Sequence, residues 1–323
     1  MIPSNNHDTP MPENDTTDFE LLPRDLGPYA KGNTGVPYVH RFVSGQPGPH
    51  VLVNALTHGN EFCGMVAATH LLDAGVRPKV GTLTVSFANV EAYNSFDRAD
   101  PFKSRLLVHN LNRIWSKAWL EGEEDSPELR RAREMRPVVA AADHILDIHS
   151  TAQPVRPFWV YPGYERNARA ALAIGVPDIH LVMPTGMTTG TPLIQHGLHG
   201  AAAHHGVALV AECGQHFARA SGELATGVTM RFLAHFGLVD ADPAWRKPGA
   251  QRRYELLATP VIKTTSVQFA RPVKGLETFA KGELVVTDGD EEIRSPCDDC
   301  TIFMPARSAI PGRELVYLTR PLP

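Results

Sequence analysis

The chain has 323 residues, of which 43% are hydrophobic, enough for a large core and for more than one domain. Its formal charge of −4 is mild and its basic residues are scattered, which argues against a nucleic-acid footprint or a polybasic membrane patch. No apolar run approaches a membrane span, and four cysteines are too few for a dense disulfide framework, so a soluble cytoplasmic protein is expected.

The opening MIPSNNHDTPMPENDTTD is polar, acidic and rich in Pro and Asn. It lacks the basic start and apolar stretch of a signal peptide, and residues 1–22 are expected to form a disordered leader. VLVNAL (51–56) suits a buried strand. EFCGMVAATHLLD (61–73) has helical spacing, with Met65, Ala68, Leu71 and Leu72 on one side. TLTVSFAN (82–89) is rich in β-branched residues and reads as a second strand. SPELRRAREMRPVVAAA (126–142) reads as a helix, with Ser126 as cap and Pro127 in the first helical position. HILDIHS (144–150) and PFWVYP (157–162) are the next strands, followed by a helix over 165–175 that stops at Gly175. HGVALVAECG (205–214) becomes a strand, and 222–237 is helical and ends in glycine.

Strands and helices thus alternate over 23–240, and several strands are apolar on both faces. That predicts an α/β domain with a mostly parallel sheet covered by helices. DADPAWRKPGAQRR (240–253) resembles a linker. Beyond it, short β-rich runs punctuated by Pro and Gly predict a smaller all-β domain over 254–323.

Functional groups in an α/β sheet gather where strands end. Three polar clusters occupy such places: His58-Gly59-Asn60-Glu61, Asp147-Ile148-His149-Ser150-Thr151 and Glu212-Cys213-Gly214. His58, Glu61 and His149 make a two-His, one-Glu set of the kind that binds catalytic zinc and leaves one position open. Gly59 would let the backbone bend tightly between the first two, and Asp147 is a candidate to orient a ligand. Glu212 follows four apolar residues, where a carboxylate is costly to bury without a purpose. Between the clusters, SRLLVHNLNRIW carries Arg105, Asn112 and Arg113. An arginine fork there suits a carboxylate clamp, and a structural arginine covering an apolar surface with its stem fits equally well.

The ordered motifs H-G-N-E, N-L-N-R, D-I-H-S and A-E-C-G, with SPELRRARE between them, resemble the succinylglutamate desuccinylase/aspartoacylase family, relatives of the zinc carboxypeptidases. The likeness spans roughly residues 50–237, and the β-rich tail fits the family's second domain. It implies one zinc per chain held by His58, Glu61 and His149, with Glu212 as general acid/base. It further implies that Arg105 steadies the scissile carbonyl while Asn112 and Arg113 grip the substrate carboxylate. The implied activity is zinc-dependent hydrolysis of a small-molecule N-acyl amino acid or similar amide. A metallocarboxypeptidase acting on small peptides is the nearer alternative, and a non-catalytic metabolite-binding module the farther one. No nucleic acid or membrane partner is expected, and a homo-oligomer is compatible with the sequence.

The sequence departs from the family at two places. Asn110 stands where D-L-N-R would place an aspartate. Where aspartoacylases carry a Tyr and an Arg ahead of the catalytic glutamate, Leu198 and Ala202 stand here, and HGLHGAAAHHG contains no arginine. An amino-acid part other than aspartate is therefore expected, with Arg156, in the loop after His149, as a candidate replacement anchor. No G-x-S-x-G elbow and no G-x-G-x-x-G loop is present. Cys297 and Cys300 are read as two reduced cysteines in a turn, and His196, His199, His204 and His205 as residues crowding a helix.

Overall fold

The computed structural model describes residues 19–323; residues 1–18, which hold most of the expected leader, lie outside the described residues. The chain runs β1 (Val39–Val43), β2 (His50–Ala55), α1 (Phe62–Asp73), β3 (Thr82–Phe87) and the short helices α2 (Val90–Asn94) and α3 (Lys117–Glu121). It continues with α4 (Pro127–Ala140), β4 (His144–Thr151), β5 (Phe158–Pro162), α5 (Glu165–Ile174), β6 (Ile179–Met183), β7 (Ala208–Gln215) and α6 (Arg219–His235). The remaining strands are β8 (Arg252–Ala258), β9 (Val267–Phe269), β10 (Thr278–Phe279), β11 (Leu284–Asp288), β12 (Glu291–Arg294), β13 (Cys300–Phe303) and β14 (Tyr317–Leu322).

Among the described residues an 11-stranded sheet runs β1-β3-β2-β4-β7-β5-β6-β8-β14-β13-β10. The inner pairs β3–β2, β2–β4, β4–β7, β5–β6 and β6–β8 are parallel, whereas β5 lies antiparallel to β7. Period-two alternation feeds both faces. On β2, Val51, Val53 and Ala55 join the core beneath α1, α5 and α6, while Leu52 joins the opposite core beneath α4. A third core, including Ile262, Val285, Ile302 and Leu315, belongs to the β-rich C-terminal region. That region also contains the antiparallel sheet β12-β11-β9. It continues the main sheet, because β8 pairs with β6 and β14 with β8.

Two strands lie outside the predicted elements, β1 and β6. The segment of His196, His199, His204 and His205 is not a helix as expected. It forms short 3-10 turns at Leu193–Gln195 and Gly197–Gly200, in a stretch broken by Gly197, Gly200 and Gly206. Among the described residues no helix is long and apolar enough to cross a membrane.

Helix α4 does more than cover the sheet. Ser126 Oγ accepts from Leu129 N at 3.1 Å and caps it, as its spacing predicts. Glu128, in the first turn and fully buried, accepts from the backbone N–H groups of Leu107, Val108 and His109 at 2.6, 3.2 and 3.2 Å. One carboxylate thus holds the loop that runs from Arg105 to Asn112. Removing it takes a charged acceptor from three backbone donors and empties a fully buried site, and Glu128→Ala is expected to lower the unfolding free energy by about 2 kcal/mol. Urea denaturation checks this; a change below about 0.5 kcal/mol, the scale of ordinary surface substitutions, would contradict the assignment.

Candidate active site

Strand β2 ends at Ala55, and Leu56 turns the backbone with φ of 59°, a left-handed conformation unusual for a leucine. Complete burial of Leu56 and the bond from Asn89 N to its carbonyl hold that turn. Gly59 is required for a different reason from the bend read in the sequence. Its φ is not positive, but a Cβ there would lie 2.3 Å from Ser104 O and 2.5 Å from Tyr93 N. The histidine turn is pressed against the loop that carries Arg105, and only glycine fits.

Glu61 occupies the N-cap position of α1 without capping it. Its carboxylate turns instead toward two histidines, with Oε1 2.8 Å from His58 Nδ1 and Oε2 3.0 Å from His149 Nδ1. Arg105 Nη1 donates to Oε1 at 2.8 Å and Ser150 N to Oε2 at 3.2 Å. The outer ring nitrogens are also engaged. His58 Nε2 lies 2.9 Å from Asn110 Oδ1, and His149 Nε2 lies 2.8 Å from Asp147 Oδ2. Asp147 and His149 reach each other because alternate residues of β4 share a face. Asn54 and Thr57 each donate to Asp147 Oδ1 at 2.8 Å. Asn110, the departure from D-L-N-R, is thus the partner of His58.

His58, Glu61 and His149 offer ligand atoms that all lie within 4.8 Å of one another, and all three are buried. Tetrahedral ligands about 2 Å from zinc stand roughly 3.3 Å apart, so small shifts suffice to close the set on an ion. Engaged outer nitrogens leave both Nδ1 atoms facing the same point, the usual arrangement around a bound metal. Electrostatics fit as well. Burial lowers His58 to about 4, with Arg105 adding to the effect, which favours the neutral imidazole a metal needs. Burial also opposes charge on His149, but Asp147 and Glu61 raise its pKa well above the usual value. Glu61 is held ionised against its burial by His58 and His149. A dication bound by the group would take the place of the His149 proton.

Glu212 stands beside this group: it is the register partner of His149 across β4–β7 and of Phe158 across β5–β7. It is 4% exposed, and its Oε2 has no hydrogen-bond partner. Burial pushes its pKa up to about 8. Such an unpartnered buried carboxylate oxygen, beside a cluster of side chains that could hold a metal, is compatible with proton transfer.

His58, Glu61, His149 and Glu212 line one cavity of about 550 Å³, together with Arg105, Asn112 and Arg113. The region that follows the linker supplies two residues that sequence reasoning missed. Glu314 receives Arg113 Nε and Nη2 at 3.2 and 2.6 Å, and Tyr317 Oη donates to Glu314 Oε2 at 2.7 Å. Against the pull of burial, Tyr317 and Glu314 raise the Arg113 pKa. The signal was present in RELVYLTR, where a glutamate opens an apolar run much as Glu212 closes one. Asn112 Oδ1 accepts from Leu193 N at 3.1 Å, and Gly190 packs so closely on Arg113 that a Cβ would lie 2.3 Å from its carbonyl oxygen.

The structure does not bring Arg156 to this cavity. Its guanidinium is exposed and pairs with Asp178 at 2.8 Å, so the anchor expected from its closeness to His149 in the sequence is directed elsewhere. None of His196, His199, His204 and His205 lines the cavity. Cys297 and Cys300 are free, as are Cys63 and Cys213.

Residues 47–184 match the model of the succinylglutamate desuccinylase/aspartoacylase catalytic domain. Among curated proteins none matches the sequence. Among solved structures, the protein resembles the succinylglutamate desuccinylase of Vibrio parahaemolyticus at 17% identity and a TM-score of 0.68, over 89% of its own length and 87% of that relative's. The succinylglutamate desuccinylase of Vibrio cholerae is similar at 16% identity and a TM-score of 0.66, over 88% and 86% of the two lengths. The product-bound ectoine utilization protein EutE (DoeB) of Ruegeria pomeroyi is similar at 16% identity and a TM-score of 0.62, over 87% of each length. At these identities the structural likeness carries the fold, an α/β unit with a smaller antiparallel β region. Over residues 47–184 the protein is thus similar to the catalytic domain of the succinylglutamate desuccinylase/aspartoacylase family.

Proposed function

We propose that the protein is a zinc-dependent deacylase that hydrolyses the amide bond of an N-acyl amino acid. The observation that carries this reading is the convergence of His58, Glu61 and His149 beside the unpartnered carboxylate of Glu212 in one cavity. Residues 23–240 form the catalytic unit in this reading, and residues 254–323 complete its cavity. The enzyme is assigned to the cytoplasm, where its free cysteines stay reduced.

His58, Glu61 and His149 would hold the ion, with Asn110 and Asp147 fixing the rings. Zinc held there supplies Lewis acidity, which polarises the amide carbonyl and eases deprotonation of water. Ionised Glu212 would accept the proton of the attacking water and return it to the leaving amine; burial alone favours its neutral form, which suits the second transfer, and a cation bound nearby would favour the carboxylate that the first transfer needs. Arg105 donates charge-assisted hydrogen bonds to the developing oxyanion. Asn112 and Arg113 would hold the carboxylate and so fix where the amide sits in the cavity.

The test is release of free amine from N-acyl amino acids by the zinc-loaded protein, with loss on chelation and return on adding zinc. The clamp makes a separate prediction. Arg113→Lys keeps the charge and loses the planar fork that both Glu314 and a substrate carboxylate engage, so KM is expected to rise about tenfold or more. Steady-state kinetics check it, and an unchanged KM would remove Arg113 from carboxylate binding.

A further inference from the structure

The cavity changes character along the sheet. Its floor is a single sheet face crossed in the order β4, β7, β5, β6. His149 on β4 and Glu212 on β7 are register partners, and Phe158 on β5 is the next partner of Glu212. Strands are about 4.8 Å apart, so the floor turns from ionisable to apolar one strand beyond Glu212. It stays apolar from there, through Val160 to Met183 on β6, while Ile194, Leu276 and Phe303 line the same part of the cavity. Phe158 and Phe303 meet edge to face with centroids 5.1 Å apart.

The carboxylate clamp stands beside this apolar part. Asn112 is bonded to Leu193 N, next to Ile194, and the Arg113 guanidinium lies 3.2 Å from Tyr317 Oη, close to Phe303 in the same core. A carboxylate held by Asn112 and Arg113 therefore puts the side chain on its own α-carbon against that wall. The wall itself supplies no cation for a second carboxylate, and the polar residues beside it, Thr188 and Gln195, are neutral. In this reading the Asn112–Arg113 clamp is taken up by the α-carboxylate, and neither Leu198 nor Ala202 lines the cavity. Lys274 and Arg313 do line it, but both are exposed to solvent. Arg307 lines it too, with its guanidinium 3.8 Å from the centroid of Phe102, a ring that neighbours His216 and not the apolar wall.

Resting on the deacylase reading, we propose that the amino-acid part of the substrate is apolar, of the leucine, methionine or phenylalanine type. The wall of Phe158, Val160, Met183, Ile194, Leu276 and Phe303 selects it. Each methylene buried there adds about fourfold to kcat/KM, the equivalent of about 0.8 kcal/mol. A carboxylate in the same place is left without a buried cation and is discriminated against.

The experiment is kcat/KM on the zinc-loaded enzyme for N-acetyl derivatives of glycine, alanine, leucine, methionine, phenylalanine and aspartate, with N-succinylglutamate beside them. N-acetylleucine is expected to exceed both N-acetylalanine and N-acetylaspartate by at least about tenfold, given the per-methylene gain. A dianion as best substrate, or no dependence on side-chain size, overturns the proposal and leaves the deacylase reading standing. No amine from any compound overturns both. Met183→Gln places a polar group in the wall and is expected to cut the leucine-to-alanine ratio several-fold; Ile194→Thr tests the same wall should the first variant fail to fold. An unchanged ratio in a folded variant shows that this wall does not select the side chain.

Discussion

Glu212→Gln is expected to keep the fold and the bound metal while losing at least roughly a hundredfold in kcat, about 2.7 kcal/mol of barrier. Glutamine is nearly isosteric and neutral, and burial already favours the neutral carboxyl, so little stability is at stake. What disappears is the proton site. The proton of the attacking water then has no carrier to the amide nitrogen, and the amine would have to leave unprotonated. Metal content by elemental analysis and the thermal midpoint separate this from unfolding. Turnover within a few-fold of the wild type would remove Glu212 from proton transfer.

His149→Ala is expected to lose most of the metal, which should be about one zinc per chain in the wild type as a single three-ligand site requires. Two ligands remain, and Glu61 loses one of the two partners that keep its carboxylate ionised. Asp147 still accepts from Asn54 and Thr57, so the variant keeps a partnered carboxylate in the core and is expected to fold. Hydrolysis falls with the metal. Full metal retention in the variant would place the ion elsewhere.

The α/β half of the fold was legible because a covered parallel sheet writes itself as short runs apolar on both faces. VLVNAL and HILDIHS each end in a polar cluster, and those clusters meet in the structure. β1 escaped because VHRFV is a mixed edge strand, and β6 because IHLVM is short and carries a histidine. Within the site, the parts that local spacing encodes came through: His58 with Glu61, and Asp147 with His149. The pairing of Arg113 with Glu314 did not, because 201 residues separate them and no periodicity spans that distance. Arg156 shows the converse failure. Nearness to His149 in sequence suggested the cavity, but Asp178 offers a solvated partner on the outside. Gly59 shows that residue type alone underdetermines its reason, since close approach to Ser104 and Tyr93 explains it where a left-handed turn does not.

The most direct test is the amount of free amine released from N-acyl amino acids and from dipeptides by zinc-loaded, chelator-stripped and zinc-restored protein. Release from N-acyl amino acids in preference to dipeptides, loss on stripping and recovery with zinc are the expected results. Equal release from the stripped protein, faster cleavage of dipeptides, or no release from any compound would contradict a zinc-dependent deacylase.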